Sequence, residues 1–259
     1  MKKKQKENLA EVFETTTDIL PYLPELLTDL WDLGSSIDII VDIFRELNLS
    51  AEKTKVLDLG CGKGAVSITL AERFGFQVHG IDLMESFIGD AKRIAKEKNV
   101  SHLCQFESAD MHDKIPKLKN YDAVIFASIG GLLGDFNKCV GKLRKTVKSG
   151  GYILIDDGFL TKDEKMNREG YGHYASHEKT IRQLTAHGDK LVEEKIVPSN
   201  YIQEINKRYL KFIKKRVNKI SERQPELADS LEKYINRQKE ESNILENDVT
   251  GAVWLIQKK

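Results

Sequence analysis

The sequence has few cysteines, no long apolar run and almost no net charge. Its three cysteines are odd in number and show no C-x-x-C spacing, so neither a disulfide framework nor a zinc site is supported and free thiols are predicted. No apolar run approaches the roughly 18 to 20 residues of a membrane span. The lysine-rich first six residues are not followed by an apolar signal-peptide core. These absences favour a reduced, cytoplasmic setting without a membrane partner.

The net charge of the whole chain is too small to indicate a polyanionic partner such as nucleic acid. There are 41 Lys and Arg residues against 40 Asp and Glu residues, a formal net charge of +1. Hydrophobic residues make up 40% and charged residues 31% of the chain, which is typical of a folded globular protein and excludes whole-chain disorder. A chain of 259 residues accommodates one α/β domain with additions.

Short β-branched runs alternate with helical patterns between residues 55 and 197, which is the pattern of βαβ units. It predicts an α/β fold with a doubly wound, mostly parallel sheet and helices on both faces. We expect an N-terminal helical cap over residues 1–50, a core over residues 51–198 and 245–259, and an inserted helical hairpin over residues 199–244 that acts as a lid or dimer contact.

Two segments outside the alternating core have helical spacing. In the cap, leucines between positions 23 and 33 predict one helix that ends at Gly34, and a second helix follows. In the hairpin, Pro225 is well placed to open the second helix. The last apolar run, residues 250–257, is rich in β-formers and predicts a closing strand.

A glycine-rich turn follows the first predicted strand at residues 58–64, with the sequence DLGCGKG. A phosphate-binding P-loop needs Ser or Thr after its lysine, but Gly64 follows Lys63. A dinucleotide fingerprint needs G-x-G-x-x-G, but the third glycine comes one position early. In open α/β sheets such a turn lies where ligands bind, beside the strand-order reversal. The carboxylate of Asp58 is left with two alternatives, capping of turn amides or contact with a ligand ammonium.

This turn resembles motif I of the class I S-adenosylmethionine-dependent methyltransferases. The family's other landmarks follow in order: an acid after the second strand, an acid after the third strand and a loop after the fourth. The resemblance covers about residues 55–157 and implies a Rossmann-like, seven-stranded sheet. It also implies an enzyme that uses S-adenosyl-L-methionine and releases S-adenosyl-L-homocysteine.

The resemblance implies where the cofactor binds. Asp82 corresponds to the acid that holds both ribose hydroxyls, since a carboxylate can accept two hydrogen bonds from a vicinal diol. Asp110 corresponds to the acid near the adenine amino group, with Leu83 and Met111 on the two faces of the ring. The full set of implied cofactor contacts is Asp58, Gly60, Cys61, Gly62, Gly64, Asp82, Leu83, Asp110, Met111 and Ala127.

The resemblance assigns no residues that would act on the methyl acceptor. Methyl transfer is an in-line displacement that needs alignment, and a base only where a proton must leave, so the catalytic residues stay unassigned with Asp157 and His173 as candidates. The candidate substrate contacts are Tyr22, Trp31, Ser128, Tyr171 and Tyr174. No metal is expected. The metal site of metal-dependent, catechol-type methyltransferases needs an acid after the fourth strand, and this sequence has Phe126, Ala127 and Ser128 there instead.

The hairpin carries a basic stripe, since residues 200–221 contain seven Lys or Arg and one Glu. Such a stripe could attract RNA, but acids return after residue 221 and no aromatic platform accompanies it. We therefore expect a methyltransferase that acts on a small molecule, with nucleic acid an unlikely partner. An RNA or protein methyltransferase, a non-catalytic cofactor-binding protein and a homodimer stay open as alternatives.

Overall fold

The computed structural model describes residues 9–10, 13–162, 166, 168 and 170–259. Seven strands are found there: β1 (Lys55–Leu59), β2 (Gln77–Asp82), β3 (Cys104–Ser108), β4 (Tyr121–Ala127), β5 (Val147–Leu160), β6 (Lys190–Ile196) and β7 (Val249–Gln257). The α-helices are α1 (Leu23–Leu26), α2 (Ile37–Glu46), α3 (Ala65–Phe74), α4 (Glu85–Glu97), α5 (Met111–Lys114), α6 (Phe136–Leu143), α7 (His177–Leu184), α8 (Ser199–Arg223) and α9 (Ala228–Asn247).

The strands form one sheet in the order β3-β2-β1-β4-β5-β7-β6. Strands β1 to β5 pair in parallel, and β7 runs antiparallel between β5 and β6. This confirms the predicted doubly wound, mostly parallel, seven-stranded α/β fold. The strand order reverses between β1 and β4, so the carboxyl ends of the central strands open onto one crevice.

The central strands are buried on both faces, as parallel strands covered by helices must be. One core cluster packs α2, α3 and α4 against one face of the sheet. The other packs α6 and the end of α7 against the opposite face. Helix α7, which follows β5, is an element that the sequence analysis does not predict.

The predicted single helix over the leucines at positions 23–33 is wrong. Helix α1 ends at Leu26, and turns follow as far as the start of α2. The Leu27 carbonyl accepts a hydrogen bond from the Lys63 ammonium and one from the Leu30 amide 3.0 Å away, which closes a tight turn. A tertiary contact from the glycine-rich turn therefore overrides the local helical pattern.

The hairpin is formed by α8 and α9, and it ends at Asn247, beyond the predicted boundary at residue 244. Its apolar side chains share a cluster with the N-terminal segment, including Ile213 and Leu231 packed with Leu23 and Leu26. The N-terminal cap and the hairpin therefore pack against each other. No helix in the described part of the chain is both long and apolar enough to cross a membrane.

Gly64 is required for packing at the start of α3. Its φ is +76°, and a Cβ there would lie 3.0 Å from both the Ala91 Cβ and the Phe106 Cζ atoms. We expect Gly64→Ala to lower the free energy of unfolding by about 1 to 3 kcal/mol, because alanine resists this backbone conformation. Urea unfolding measures the change.

The matched control is Gly89→Ala on the exposed side of α4, where nothing lies within 4 Å of the added Cβ. Alanine in an exposed helix interior should raise the free energy of unfolding by about 0.5 to 1 kcal/mol. Equal effects of the two substitutions would contradict the packing role of Gly64.

Candidate functional site

A cavity of about 660 Å³ opens at the carboxyl ends of the central strands. Its floor is the glycine-rich turn and the ends of β2, β4 and β5, while the cap and the hairpin supply the opposite walls. The site thus lies at the reversal of strand order, where open α/β sheets bind ligands.

The glycine turn presents bare backbone to this cavity. Gly60 and Gly62 have φ values of +72° and +52°, which favour glycine. A Cβ on Gly62 would lie 2.8 Å from the Leu33 Cδ1 atom, and one on Gly60 would overlap the Ile129 side chain. Gly64, predicted as a cofactor contact, is absent from the cavity lining and packs against α4 instead. Its place in the motif is explained by that packing.

Asp82 closes the turn from the end of β2. One carboxylate oxygen accepts a hydrogen bond from the Gly62 amide at 2.9 Å, and the other accepts one from the Met84 amide at 2.8 Å. Burial raises the pKa of Asp82, and these amide hydrogen bonds oppose the shift. Each oxygen keeps acceptor capacity toward the cavity, as the recognition of a vicinal diol requires.

Most of the other predicted cofactor contacts also line the cavity: Asp58, Cys61, Leu83, Asp110, Met111 and Ala127. The carboxylate of Asp110 caps α5 by accepting a hydrogen bond from the His112 amide at 2.9 Å. The donor to Asp58 is the Ser67 hydroxyl on α3, at 2.5 Å, rather than an amide of the turn. Burial raises the pKa of Asp58 to about 6, against the lowering effect of Ser67.

Lys63 is a structural residue that the sequence analysis did not single out. Its side chain is buried, with the ammonium bonded to the Leu27 carbonyl and 5.5 Å from the centre of the Phe87 ring. The Lys63 carbonyl accepts a hydrogen bond from the Trp31 indole at 3.2 Å. The predicted substrate contact Trp31 thus lines the cavity and also ties the cap to the glycine turn.

Asp156 makes a second contact that anchors the cap. It lies at the end of the part of β5 that pairs in parallel with β4. Its carboxylate accepts hydrogen bonds from the Ser36 amide at 2.6 Å and the Ser36 hydroxyl at 3.1 Å. Burial raises the pKa of Asp156 to about 7, opposed by the Ser36 hydrogen bonds and reinforced by the charge of Asp157. Ser36 therefore fixes the start of α2 against the floor of the cavity.

His173 and Asp157, the two candidate catalytic residues, are brought together. The His173 Nε2 atom lies 3.4 Å from an Asp157 carboxylate oxygen, and both side chains are about 95% buried. Burial lowers the pKa of His173, but the charge and hydrogen bonding of Asp157 outweigh it, and the net shift is upward. The ring lies against the bare backbone of Gly131, where a Cβ would be 2.8 Å from Nδ1.

Aromatic rings continue the wall from His173 toward the hairpin. The His173 and Tyr174 ring centres are 4.1 Å apart, and those of Tyr174 and Tyr171 are 5.8 Å apart. The Tyr171 hydroxyl donates a hydrogen bond of 3.0 Å to Glu241 of α9. Burial raises the pKa of Glu241 to about 7. Glu241 was missed because its distance in sequence gave no sign that α9 folds back onto the site.

Ser128 lies in the cavity wall and Tyr22 does not, although both were predicted as substrate contacts. Ser128 lines the cavity at the end of β4, with a φ of +56° and its amide bonded to the Asp156 carbonyl at 2.8 Å. Tyr22 does not line the cavity and packs against the shared core cluster of cap and hairpin. The prediction of Tyr22 as a substrate contact is therefore wrong.

The family model for a methyltransferase domain matches residues 50–246, which is more than half of the chain. The chain belongs to the class I S-adenosylmethionine-dependent methyltransferases. This confirms the resemblance drawn from the glycine turn and its acids, and S-adenosylmethionine is the cofactor of the family.

Individual relatives in this methyltransferase family are distant. A ubiquinone biosynthesis O-methyltransferase of Rickettsia akari (strain Hartford) is 32% identical over 117 residues, which cover 45% of each chain. A phosphoethanolamine N-methyltransferase of Plasmodium falciparum (isolate 3D7) is 28% identical over 149 residues, which cover 56% of this chain and 53% of that protein. The chain thus spans about half the length of these relatives.

Solved methyltransferase structures share the fold over almost the whole chain. The crystal structure of an S-adenosylmethionine-dependent methyltransferase from Thiobacillus denitrificans, in complex with S-adenosyl-L-homocysteine, superposes with a TM-score of 0.76 at 18% identity. The match covers 91% of this chain and 97% of that one. At this identity the likeness concerns the fold alone.

The residues present fit the family's cofactor. The exposed backbone of the glycine turn gives room for a ligand to approach, and Asp82 offers acceptor oxygens at the end of β2, where the sequence resemblance implies a ribose. Within the described residues, no group of three or more His, Cys, Asp or Glu side chains is placed to hold a metal ion.

Proposed function

We propose that this methyltransferase transfers a methyl group from S-adenosylmethionine to a small-molecule acceptor held between β5 and the hairpin. The observation that carries the proposal is the continuity of the cavity, which runs from the glycine turn to the His173–Asp157 pair. Methyl transfer depends on holding nucleophile and methyl group aligned and away from water, and one shared cavity meets that need.

The turn end of the cavity is assigned to the cofactor. Gly60 and Gly62 would lie against it, Asp82 would hold the ribose hydroxyls, and Asp110, Met111 and Leu83 would surround the adenine. When bound, S-adenosylmethionine supplies a sulfonium methyl group: the acceptor's lone pair forms the new bond to carbon while the carbon–sulfur bond breaks and leaves its electrons on sulfur. The chain's own residues need only orient the partners and accept a proton.

We assign to His173 the role of accepting that proton. A neutral imidazole can accept a proton from an acceptor hydroxyl or ammonium, and the Asp157 carboxylate stabilises the imidazolium that results. The rings of Phe136 and Tyr174, centred 6.0 and 4.1 Å from that of His173, keep solvent away from the pair. Asp157 is therefore a positioning residue, and His173 is the candidate base.

A small acceptor is favoured over RNA or protein by the position of the hairpin. Three arginines on α8, namely Arg208, Arg216 and Arg223, form ion pairs of 2.6 to 2.7 Å with acids of the N-terminal segment. Part of the basic stripe is thus engaged in holding the hairpin against the cap. The hairpin covers the cavity from that side and restricts the size of what can enter.

Calorimetry with S-adenosylhomocysteine, with NADH as the control ligand, tests the cofactor assignment. We expect micromolar binding of S-adenosylhomocysteine and none of NADH. Incubation with S-adenosylmethionine and a panel of small amines, phenols and carboxylates, followed by mass spectrometry for S-adenosylhomocysteine, then tests transfer. Lack of binding would overturn the proposal, and binding without turnover on any acceptor would favour a non-catalytic cofactor-binding protein.

A further inference from the structure

The charged side chains that line the cavity are of one sign. Eight carboxylic acids contribute to its walls, and no lysine or arginine does so among the described lining residues. Three of the acids, Asp58, Asp82 and Asp110, belong to the end assigned to the cofactor. The other five lie on the cap, β5 and the hairpin, around the space left for the acceptor.

Two of these five acids are neutralised by arginines outside the cavity. Glu14 pairs with Arg168 at 3.0 Å, and Asp32 pairs with Arg208 at 2.6 Å. Asp156, in contrast, is held by the neutral side chain and amide of Ser36. The acceptor space therefore keeps an excess of carboxylates after the ion pairs are counted.

Glu241 is the acid on the hairpin whose hydrogen-bond donors are uncharged. The Tyr171 hydroxyl donates to one of its oxygens at 3.0 Å, and the Gln238 amide donates to the other at 3.2 Å. Arg168 lies behind Tyr171, with its guanidinium carbon 5.2 Å from the centre of that ring and its charge paired to Glu14. A cation entering the cavity would therefore meet Glu241 directly.

Tyrosine rings supply the rest of this wall. Tyr171, Tyr174 and Tyr234 line the cavity next to Glu241, and Tyr201 lines it from the start of α8. Aromatic faces attract cations, and the attraction is strengthened where water is excluded. Carboxylates interleaved with tyrosines are suited to an organic cation with an apolar body.

We propose that the acceptor is an amine that binds in its protonated, cationic form between the His173–Asp157 pair and the Tyr171–Glu241 pair. This inference rests on the proposed function and narrows its substrate class. Anionic acceptors are disfavoured, because a carboxylate or phosphate would meet Asp156, Asp157 and Glu241, and no lysine or arginine is among the described residues of the cavity wall. A neutral phenol would leave the excess of negative charge uncompensated.

His173 lies beside this acidic wall as the group that could accept a proton. Its side chain is 95% buried, and Nε2 lies 3.4 Å from an Asp157 carboxylate oxygen. An ammonium could give one proton to the neutral imidazole, which frees the nitrogen lone pair for attack on the methyl group.

The binding of such a cation should depend on pH. Glu241 faces Tyr171, Gln238, Tyr174 and Tyr234, with Glu14 and Arg168 acting through their charges, and burial raises its pKa to about 7. Below that pH Glu241 becomes protonated, and the loss of its charge weakens the attraction to a cation. Amine affinity should therefore rise between pH 6 and pH 8.

Calorimetry on the full chain saturated with S-adenosylhomocysteine tests the proposal with three probes of similar size and different charge: phenethylamine, 2-phenylethanol and phenylacetate. We expect the amine to bind at least about ten-fold more tightly than either of the others at pH 8. Glu241→Gln should weaken amine binding by about ten-fold, because it removes a buried charge at the site. Its affinity for S-adenosylhomocysteine should not change.

The matched control is Glu232→Gln, an exposed acid on the same helix, which should leave amine binding unchanged. Equal or tighter binding of the alcohol or the carboxylate, failure of the amine to bind, or an unaltered preference in Glu241→Gln would each overturn the amine assignment. Because S-adenosylhomocysteine binding is measured first on the same sample, its loss would instead indicate failure of the proposed function. The two failures are thus distinguished.

Discussion

Replacement of Asp82 by alanine is expected to weaken binding of S-adenosylhomocysteine by about 10- to 100-fold. The substitution removes the charged acceptor that the ribose hydroxyls would use, and hydrogen bonds to a charged group contribute about 1.5 to 3 kcal/mol. It also frees the Gly62 amide, bonded to Asp82 at 2.9 Å, so the glycine turn loses part of its preorganisation. Calorimetry on wild type and variant measures the change.

The control for this result is Asp113→Ala, which removes an exposed carboxylate in the neighbouring helix α5, outside the cavity lining. Its affinity for S-adenosylhomocysteine should match that of the wild type. Thermal unfolding of both variants separates loss of contact from loss of fold. If Asp82→Ala folds and keeps its affinity, the ribose assignment is wrong.

The core of the fold follows from local patterns in the sequence. Alternation of β-branched runs with helical spacing predicts βαβ units, and the turn with Gly60 and Gly62 marks the end of the first strand. Asp82 was singled out because the family resemblance implies an acid after the second strand, and Asp82 ends β2. These features depend on residues near one another in sequence, so they can be inferred without coordinates.

The features that were wrong or missed depend on contacts between distant segments. The predicted cap helix stops at Leu26 because Lys63, 36 residues further along the chain, bonds the Leu27 carbonyl. Glu241 reaches the cavity because α9 packs back against β7, and Tyr171, to which it bonds, lies 70 residues earlier in the sequence. Hydrophobic periodicity describes one element at a time and carries no information about such pairings.

The cap and the hairpin both contribute directly to the organisation of the site. The cap is fixed to the glycine turn by Lys63 and to β5 by the bond between Ser36 and Asp156. The hairpin is fixed to the cap by ion pairs such as Arg216 with Asp29. A shift of either element would move Glu241 or Trp31 relative to the turn, so acceptor binding and cofactor binding share these contacts.

His173→Ala is expected to lower kcat by about 100- to 10,000-fold on any acceptor that the wild type methylates, since a positioned base contributes that much to proton transfer. The affinity for S-adenosylhomocysteine should be unchanged, because His173 lies on the acceptor side of the cavity, against Gly131. In the wild type, kcat should rise with pH through the His173 pKa, which lies above its ordinary value, because the neutral imidazole is the form that accepts the proton.

Asp157→Asn separates a positioning role from simple packing. The change removes the charge 3.4 Å from His173 Nε2 while burial of the ring persists, so the His173 pKa should fall below its wild-type value. NMR titration of the His173 ring measures this without any acceptor. The rise of kcat with pH should move to lower pH by the same amount, and kcat itself should drop because the imidazolium is no longer stabilised. An unchanged His173 pKa would show that the pair is only a packing contact, and the base would then have to be sought elsewhere in the cavity.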